Sequence, residues 1–480
     1  MPRRPLHTTG AAEAPLRAAL RELRITLGVP GEFPPEVLAE AESAAAAPAL
    51  PDTDATDLPL FTVDPPDSAD LDQAMHLARR RDGFRVHYAI ADVAAFVKPG
   101  GALDTEAHRR VQTLYFPDGK VPLHPAVLSE GAASLLPGRN VPALLWRIDL
   151  DAEGRTVATD LRRALVRSRA KLDYEGAQRQ IDDGTAEEPL ALLKTVGLLR
   201  EELERERGGI SLGVPEQEIT ERNGTYFLHY RAPQPADGWN AQISLLTGMA
   251  AADLMTASGT GILRTLPTAP DGAVARLRRS ARALHIDWPH HVSYADVVRS
   301  LDPGNASHAA FLHECTTLLR GAGYTVFSGG ELPAHAVHAA VAAAYTHCTA
   351  PLRRLVDRYA GELCLAISAG QGVPEWVLAA LDDLPREMAD GGRRANTVER
   401  ECVDIIEAAL LKDRIGEVFE GVVVDVKEHE PAVGTVQVEE PAVVARVEGG
   451  GPLPLGERLR VRLIQAEPGS AKVQFAPAQA

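Results

Sequence analysis

An α+β chain with a small all-β barrel at its C-terminal end is the fold this sequence predicts, on three observations. Short alternating runs separated by turn residues fill the stretch from Phe61 to Trp146. Alanine-rich helical patterns dominate from Tyr174 onward, and strict alternation returns at Gly416. With 480 residues, 45% of them hydrophobic, the chain can bury one large core and smaller attachments.

Two helical patterns, Leu16 to Leu27 and Pro34 to Ala41, open the chain and lead through the run Ala44 to Pro48 into an acidic linker. Residues 1–50 therefore read as a helical N-terminal segment, a small cap docked on the domain that follows. Residues 74–81 and 84–91 then alternate in character around Asp82-Gly83, a dipeptide suited to a two-residue turn needing positive φ. With Arg81 facing Phe84, Gln73 would stand opposite Asp92. A second hairpin pairs 141–150 with 155–165 around Asp151 to Gly154. Leu190, Leu193, Val196, Leu199 and Leu203 share one helix face, and Gly208-Gly209 stops it. Further helices are expected over 241–258, 306–322, 335–345, 350–368 and 396–412, which sets a mixed sheet with packed helices over residues 51–415.

From 416 to 480 the expectation is an all-β OB fold, because about five short strands in some sixty residues suit that barrel. Val418, Glu420, Val422 and Val424 lie on one face of its first strand. The strand near 458–463 alternates Leu459, Val461 and Leu463 inward with Arg458, Arg460 and Arg462 outward. Phe419 and Phe475 are the aromatic candidates for stacking.

The chemistry concentrates before the first hairpin. Seven aspartates fall between Asp52 and Asp72, and Asp64, Asp70 and Asp72 stand at the hairpin mouth. Several hard oxygen ligands on one loop suit Mg²⁺ held by carboxylates and a substrate phosphate, although an acidic run by itself is as readily a solvated linker. A net charge of −16 argues against a polyanionic partner, since phosphate binding rests on Lys and Arg. Arginines nevertheless cluster at 79–81, at 162–169 with Lys171, at 353–358 and at 393–394. A local basic channel in an acidic body favours a single-strand reader. The four scattered cysteines form no disulfide framework or C-x-x-C pair, and no cysteine or carboxylate spacing completes a zinc site with His335, His338 and His347. No run of eighteen apolar residues occurs and no apolar core follows Met1-Pro2-Arg3-Arg4, so a cytoplasmic protein without a membrane partner is expected.

The words around the acids are more specific than the acids. Thr62-Val63-Asp64-Pro65, Asp70-Leu71-Asp72 and Ile90-Ala91-Asp92-Val93 are followed by Tyr115-Phe116-Pro117, Ser134-Leu135, and Tyr345-Thr346-His347-Cys348-Thr349-Ala350-Pro351-Leu352-Arg353-Arg354. In this order they resemble the catalytic RNB domain of the ribonuclease II and ribonuclease R family, whose four-aspartate pattern D-x5-D-x-D-D matches at three positions. Gln73 stands at the fourth. The stretch Trp239 to Ser244 stands where many relatives carry a glutamate pair that contacts RNA, and Gly416 to Gly421 resembles the opening of an S1-type domain. About fifty residues before the domain cannot house the two OB-type domains common in relatives, so that clamp is expected to be missing.

The resemblance implies a 3′-to-5′ exoribonuclease releasing 5′-mononucleotides from single-stranded RNA with Mg²⁺ or Mn²⁺. It implies metal coordination by Asp64, Asp70 and Asp72, with Asp72 at the essential position and Arg353 at the scissile phosphate. Arg354 would contact a neighbouring phosphate, Tyr115 would stack near the 3′ end, and Glu399 would lie near the terminal nucleotide. Gln73 and His347 are expected behind the site, His347 supporting the arginine loop through a hydrogen bond; Asp92 is expected as a ligand or a support on the hairpin register, and Arg458, Arg460 and Arg462 are expected to add charge for RNA. Two rivals stay open: a catalytically silent RNA-binding protein, motivated by Gln73, and a phosphodiesterase acting on small nucleotides.

Overall fold

The computed structural model describes residues 14–212, 216–222, 225–231, 234–302, 305–319, 321–427 and 429–478. Strands β1 (Leu60–Val63), β2 (Gln73–Arg80) and β3 (Gly83–Ala91) open the main domain. Helix α3 (Ala102–Arg110) and the small hairpin β4 (Leu114–Phe116) and β5 (Gly119–Val121) precede the long hairpin β6 (Asn140–Leu150) and β7 (Thr156–Leu172). The mixed sheet closes into a barrel in the order β1-β2-β3-β6-β7, with β1 parallel to β7 and the other pairs antiparallel.

The hairpin register differs from the sequence expectation. Gln73 pairs with Ile90 and Arg80 with Gly83, so the turn residues are Arg81 and Asp82 and Asp72 lies across from Ala91, whose N–H it accepts at 2.9 Å. Gly83, at φ 146°, is the reason: a Cβ there would lie 2.0 Å from the Leu150 carbonyl oxygen, so the glycine serves close strand approach instead of the turn. Asp92 is thereby carried past the end of the ladder.

Alternation decides which side of the barrel meets the helices. Val86, Tyr88 and Ile90 of β3 and Leu144, Trp146 and Ile148 of β6 enter one core with Leu193, Val196, Trp239 and Ile243. These come from α5 (Glu188–Arg207) and α6 (Pro235–Ser258), which follow the short α4 (Tyr174–Asp182). Gly208 at φ 79° ends α5 as expected, and Pro235 at the first turn with the Gln234–Asp237 capping box starts α6.

Strands β8 (Glu216–Arg222) and β9 (Thr225–Arg231) form a hairpin between them, and β10 (Gly261–Thr265) later pairs with β11 (Gly323–Phe327) around α7 (Asp271–Ala283), α8 (Tyr294–Arg299) and α9 (Ala306–Cys315). The expected helix over 335–345 is instead the two-residue pair β12 (Val337–His338) and β13 (Ala343–Ala344). Its alanines suggested helix, but Ala342 sits at φ 55° and turns the chain back. Helix α10 (Leu355–Ser368) begins after the arginine pair, and α11 (Glu375–Leu381) and α12 (Leu384–Leu411) complete the domain.

The terminal barrel is closed in the order β14-β15-β16-β18-β17, from β14 (Val418–Lys427), β15 (Glu430–Val438), β16 (Val443–Glu448), β17 (Arg458–Glu467) and β18 (Ala471–Pro477). Both faces of β14 are buried, contrary to the simple alternation. Phe419 and Val423 join the barrel core, while Val422 and Val424 pack on α7–α9. Phe419 and Phe475 meet edge-on at 5.8 Å inside that core, which removes them as stacking surfaces.

The N-terminal helices divide their loyalty. Leu16 and Leu20 of α1 (Ala14–Thr26) join the terminal barrel and α12, whereas Val37 and Ala41 of α2 (Pro35–Ala46) pack near Val93, Phe96 and Leu103 of the main domain. Leu20 is fully buried, so its truncation to alanine would cost about 2–5 kcal/mol. Ala44, Ala45 and Ala46 of the low-complexity run form the last turn of α2.

Candidate active site

The acid loop between β1 and β2 and the loop Tyr345–Arg354 before α10 are built separately and locked together. Thr346 donates to the Ile262 carbonyl at 2.7 Å and its N–H to Gly248 O at 3.2 Å, seating the loop on β10 and α6. A Cβ on Gly248 would come 2.3 Å from the Tyr345 ring, so only glycine admits this approach. At the far end the Arg353 carbonyl accepts the Thr113 N–H at 3.0 Å and Val111 O accepts Leu355 N–H at 2.9 Å.

Asp72 is the junction. It is 4% exposed, its Oδ1 accepts the Leu352 N–H at 2.8 Å, and its Oδ2 lies 3.2 Å from Arg353 Nε without a hydrogen bond in line. Burial first, then the negative charge of Asp70, pushes the Asp72 carboxyl up to about 8 against the pull of Arg353. The same causes raise Asp64 to about 6. Burial likewise lifts the Tyr115 hydroxyl to about 12, with Arg353, Asp70 and Asp72 all within electrostatic reach. Asp64, Asp70, Asp72, Tyr115 and Arg353 therefore lie within electrostatic reach around the buried Asp72.

Lys120 and Glu130 had no signal in the sequence beyond their type. Lys120, opposite Tyr115 on β5, sits 2.8 Å from both Asp70 and Glu130, and Lys171 Nζ donates to the carbonyls of Pro66 and Ser68, the latter at 2.7 Å. The Gln73 amide donates to the Thr349 carbonyl, stitching the hairpin to the arginine loop. An ionised aspartate at that position could not make this bond, because a carboxylate only accepts.

Among the described residues no three His, Cys, Asp or Glu side chains are grouped tightly enough to hold an ion by themselves. A divalent cation is still chemically suited to the acids: burial and the charge of Asp70 raise Asp64 and Asp72, and Mg²⁺ commonly takes one or two carboxylates with substrate phosphate completing the shell.

Other expected site residues lie elsewhere or are engaged. Arg354 makes a bidentate pair with Asp357 at 2.8 and 2.8 Å, and Asp357 also accepts Ala350 N–H at 2.7 Å, so this arginine clamps the loop. Asp92 binds Arg163 Nε at 2.7 Å, and Arg163 reaches Glu362, which makes Asp92 part of a buried ion network apart from the acid loop. His347, itself in the arginine loop, hydrogen-bonds Tyr324 of β11 at 2.5 Å and so ties that loop to its neighbour. Glu399 is exposed on α12, and Arg458, Arg460 and Arg462 line the outside of β17. Trp239, Asn240, Gln242 and Ile243 are all buried, so the start of α6 packs where relatives were expected to offer glutamates.

Several members of the arginine clusters are engaged by acids of the chain. Arg80 and Arg85 hold Asp149, Arg169 holds Glu187, Arg358 holds Asp104, and Arg393 holds Asp390.

Comparison with known proteins joins this geometry to a family. A model of the RNB domain matches residues 52–366, about two thirds of the chain, and a model of the RNase II-type exonuclease C-terminal S1 domain matches residues 417–478. The chain belongs to the RNB-domain family. Its RNB domain thus contains the acid loop, Tyr115 and the Arg353–Arg354 pair, and its S1 domain coincides with the terminal barrel. Ribonuclease R of Escherichia coli is 26% identical over 398 residues, covering 77% of this chain and 48% of that protein. The chain spans about half the length of that relative. The apo form of Mycoplasma genitalium RNase R superposes with a TM-score of 0.85 at 19% identity, over 97% of this chain and 78% of that one. Yeast Ssd1, described as a pseudonuclease, shares the fold with a TM-score of 0.69 at 16% identity, over 84% of this chain and 52% of that one. The RNB fold is therefore compatible with both active and silent members.

Proposed function

We propose that this chain is a 3′-to-5′ exoribonuclease that hydrolyses single-stranded RNA to 5′-nucleoside monophosphates with Mg²⁺ or Mn²⁺. The observation that carries the reading is Asp72, buried between the acid loop and the arginine loop beside Arg353. Keeping a carboxylate in so dry a place costs stability, and such costs concentrate where chemistry is done. Family membership supports the same reaction.

Asp64, Asp70 and Asp72 would hold the cation, which supplies neutralisation of phosphoryl charge and a more acidic water. Arg353 has guanidinium N–H groups to spare for a phosphate oxygen, because only its Nε faces Asp72. Tyr115 presents its ring beside Arg353 and suits a terminal base, and Lys120 holds Asp70 in place until a phosphate enters. Arg354 and Gln73 position the loop that carries Arg353. Among the described residues no helix is long and apolar enough to cross a membrane, which accords with the cytoplasmic location we propose.

A silent RNA-binding protein is the second reading, favoured by the Gln73 bond to Thr349 and by Lys120 occupying Asp70. Incubation of 5′-labelled single-stranded RNA with Mg²⁺ separates the two, with EDTA and Asp72→Asn as controls. A ladder shortening from the 3′ end, absent in both controls, is expected; RNA that is bound yet stays intact with the wild type would transfer the assignment to the silent binder.

A further inference from the structure

A second polar cavity lies away from the acid loop, at the turn between β6 and β7. It has a volume of about 370 Å³. Arg200, Arg207 and Met249 line its wall, and Arg155, Glu206 and Asp253 stand exposed around it. From this turn to Ala143, which faces Ala91 near Asp72, β6 runs for several residues, roughly 25 Å at about 3.3 Å per residue.

Two cations of this cavity lack the partners that buried cations need. Arg200 is 5% exposed, and its sole hydrogen bond among the described residues runs from Nη1 to the Gly154 carbonyl at 2.9 Å. Arg207, half-buried, donates only from Nε to Val341 O at 3.3 Å. Arg200 Nε and Arg207 Nη2 are buried with no acceptor among the described residues. Each guanidinium carries five N–H donors, so most of their capacity is unused.

Glu204 acts electrostatically on both arginines but forms no ion pair with either among the described residues; its carboxylate accepts from Ser211 at 2.6 Å and from Gln242. Glu206 faces Arg155 at 3.6 Å, and Asp253 forms no ion pair with either arginine among the described residues. Burial, and then the charge of Arg207, holds the Arg200 guanidinium down at about 10 against the pull of Glu204.

Buried N–H donors left without an acceptor are costly, whereas a phosphate accepts bidentate bonds from paired guanidinium groups. The volume lies in the range of small-ligand pockets, and Met249 and Leu203 add an apolar wall. We propose that this cavity binds a small phosphate-bearing anion at Arg200 and Arg207, separately from the candidate active site. Ala343 and Ala344 line the same cavity immediately before Tyr345, so an occupant braces the base of the arginine loop.

The test is thermal unfolding of the full chain titrated with inorganic phosphate or 5′-AMP, against sodium chloride of matched ionic strength. A saturable rise in Tm with either probe is expected, lost in Arg207→Gln and kept in Arg353→Gln. Ala344→Glu, which places a carboxylate in the cavity and leaves both arginines intact, should also abolish it, and this variant carries the test if Arg207→Gln does not fold. No rise with either probe, or a rise that survives Ala344→Glu, overturns the proposal.

Discussion

In the barrel of β1, β2, β3, β6 and β7 the charged side chains that matter are buried at one end, where Asp72 and Asp64 are raised by desolvation and tied to a second loop. In the barrel of β14 to β18 the charges stand outside: Arg458, Arg460 and Arg462 are exposed around a core of Val423, Val461, Leu463 and Phe475. Both are closed and five-stranded, so topology does not explain the difference. A buried charge in the first barrel has a structural cost that function must justify, while a solvated arginine in the second costs almost nothing and adds only long-range attraction.

The strongest way to break this contrast is Asp72→Asn. Loss of RNA hydrolysis by about 10³-fold is expected, the order seen when a preorganised polar group is removed from a reaction centre. RNA affinity should stay within a few-fold, read by parallel turnover and filter-binding assays. Arg354→Ala comes next, on stability: it leaves Asp357 buried and unpaired and should cost about 3–5 kcal/mol in denaturant unfolding. Equal stability would mean the clamp contributes nothing.

Proton and cation should compete at the first barrel. The folded chain raises Asp64 and Asp72 above their usual 3.8, so each contributes stability that is present below that value and is lost as pH rises through about 6 and about 8. A bound cation offsets this loss only when the acids are ionised. Mg²⁺ should therefore raise Tm more at about pH 8.5 than at about pH 5.5, and its apparent affinity should level off above about pH 8; a flat response would remove these acids from the cation site. The smallest effect is expected in the second barrel. Replacing Arg458, Arg460 and Arg462 together by alanine should leave Tm unchanged and reduce the salt slope of single-strand binding by about 2, at about 0.7 per phosphate contact.

Much of this arrangement was legible in the chain. The order of short strands, helices and terminal barrel followed from alternation and from stops such as Gly208, because these are local rules of backbone and side-chain period. Asp64, Asp70, Asp72, Tyr115 and Arg353 could be picked out because their words kept a recognisable order, and the structure brings these five within electrostatic reach around the buried Asp72. The helix forecast over 335–345 failed where a single positive φ at Ala342 outweighed alanine propensity. The hairpin register failed because Gly83 answers a contact from Leu150, which no local pattern displays.

By itself, then, the sequence determined the fold class, the family words and the acids that could matter, since periodicity and residue chemistry are written along the chain. Only the tertiary structure decided which charges are spent and which are free. Arg354 is consumed by Asp357 and Asp92 by Arg163, while Gln73 reaches Thr349, 276 residues away. Lys120 finds Asp70, and Arg200 and Arg207 line a cavity with N–H groups that have no acceptor among the described residues. The physical reason is that pairing and desolvation depend on distances in space, and those distances join residues that share no neighbourhood in the sequence.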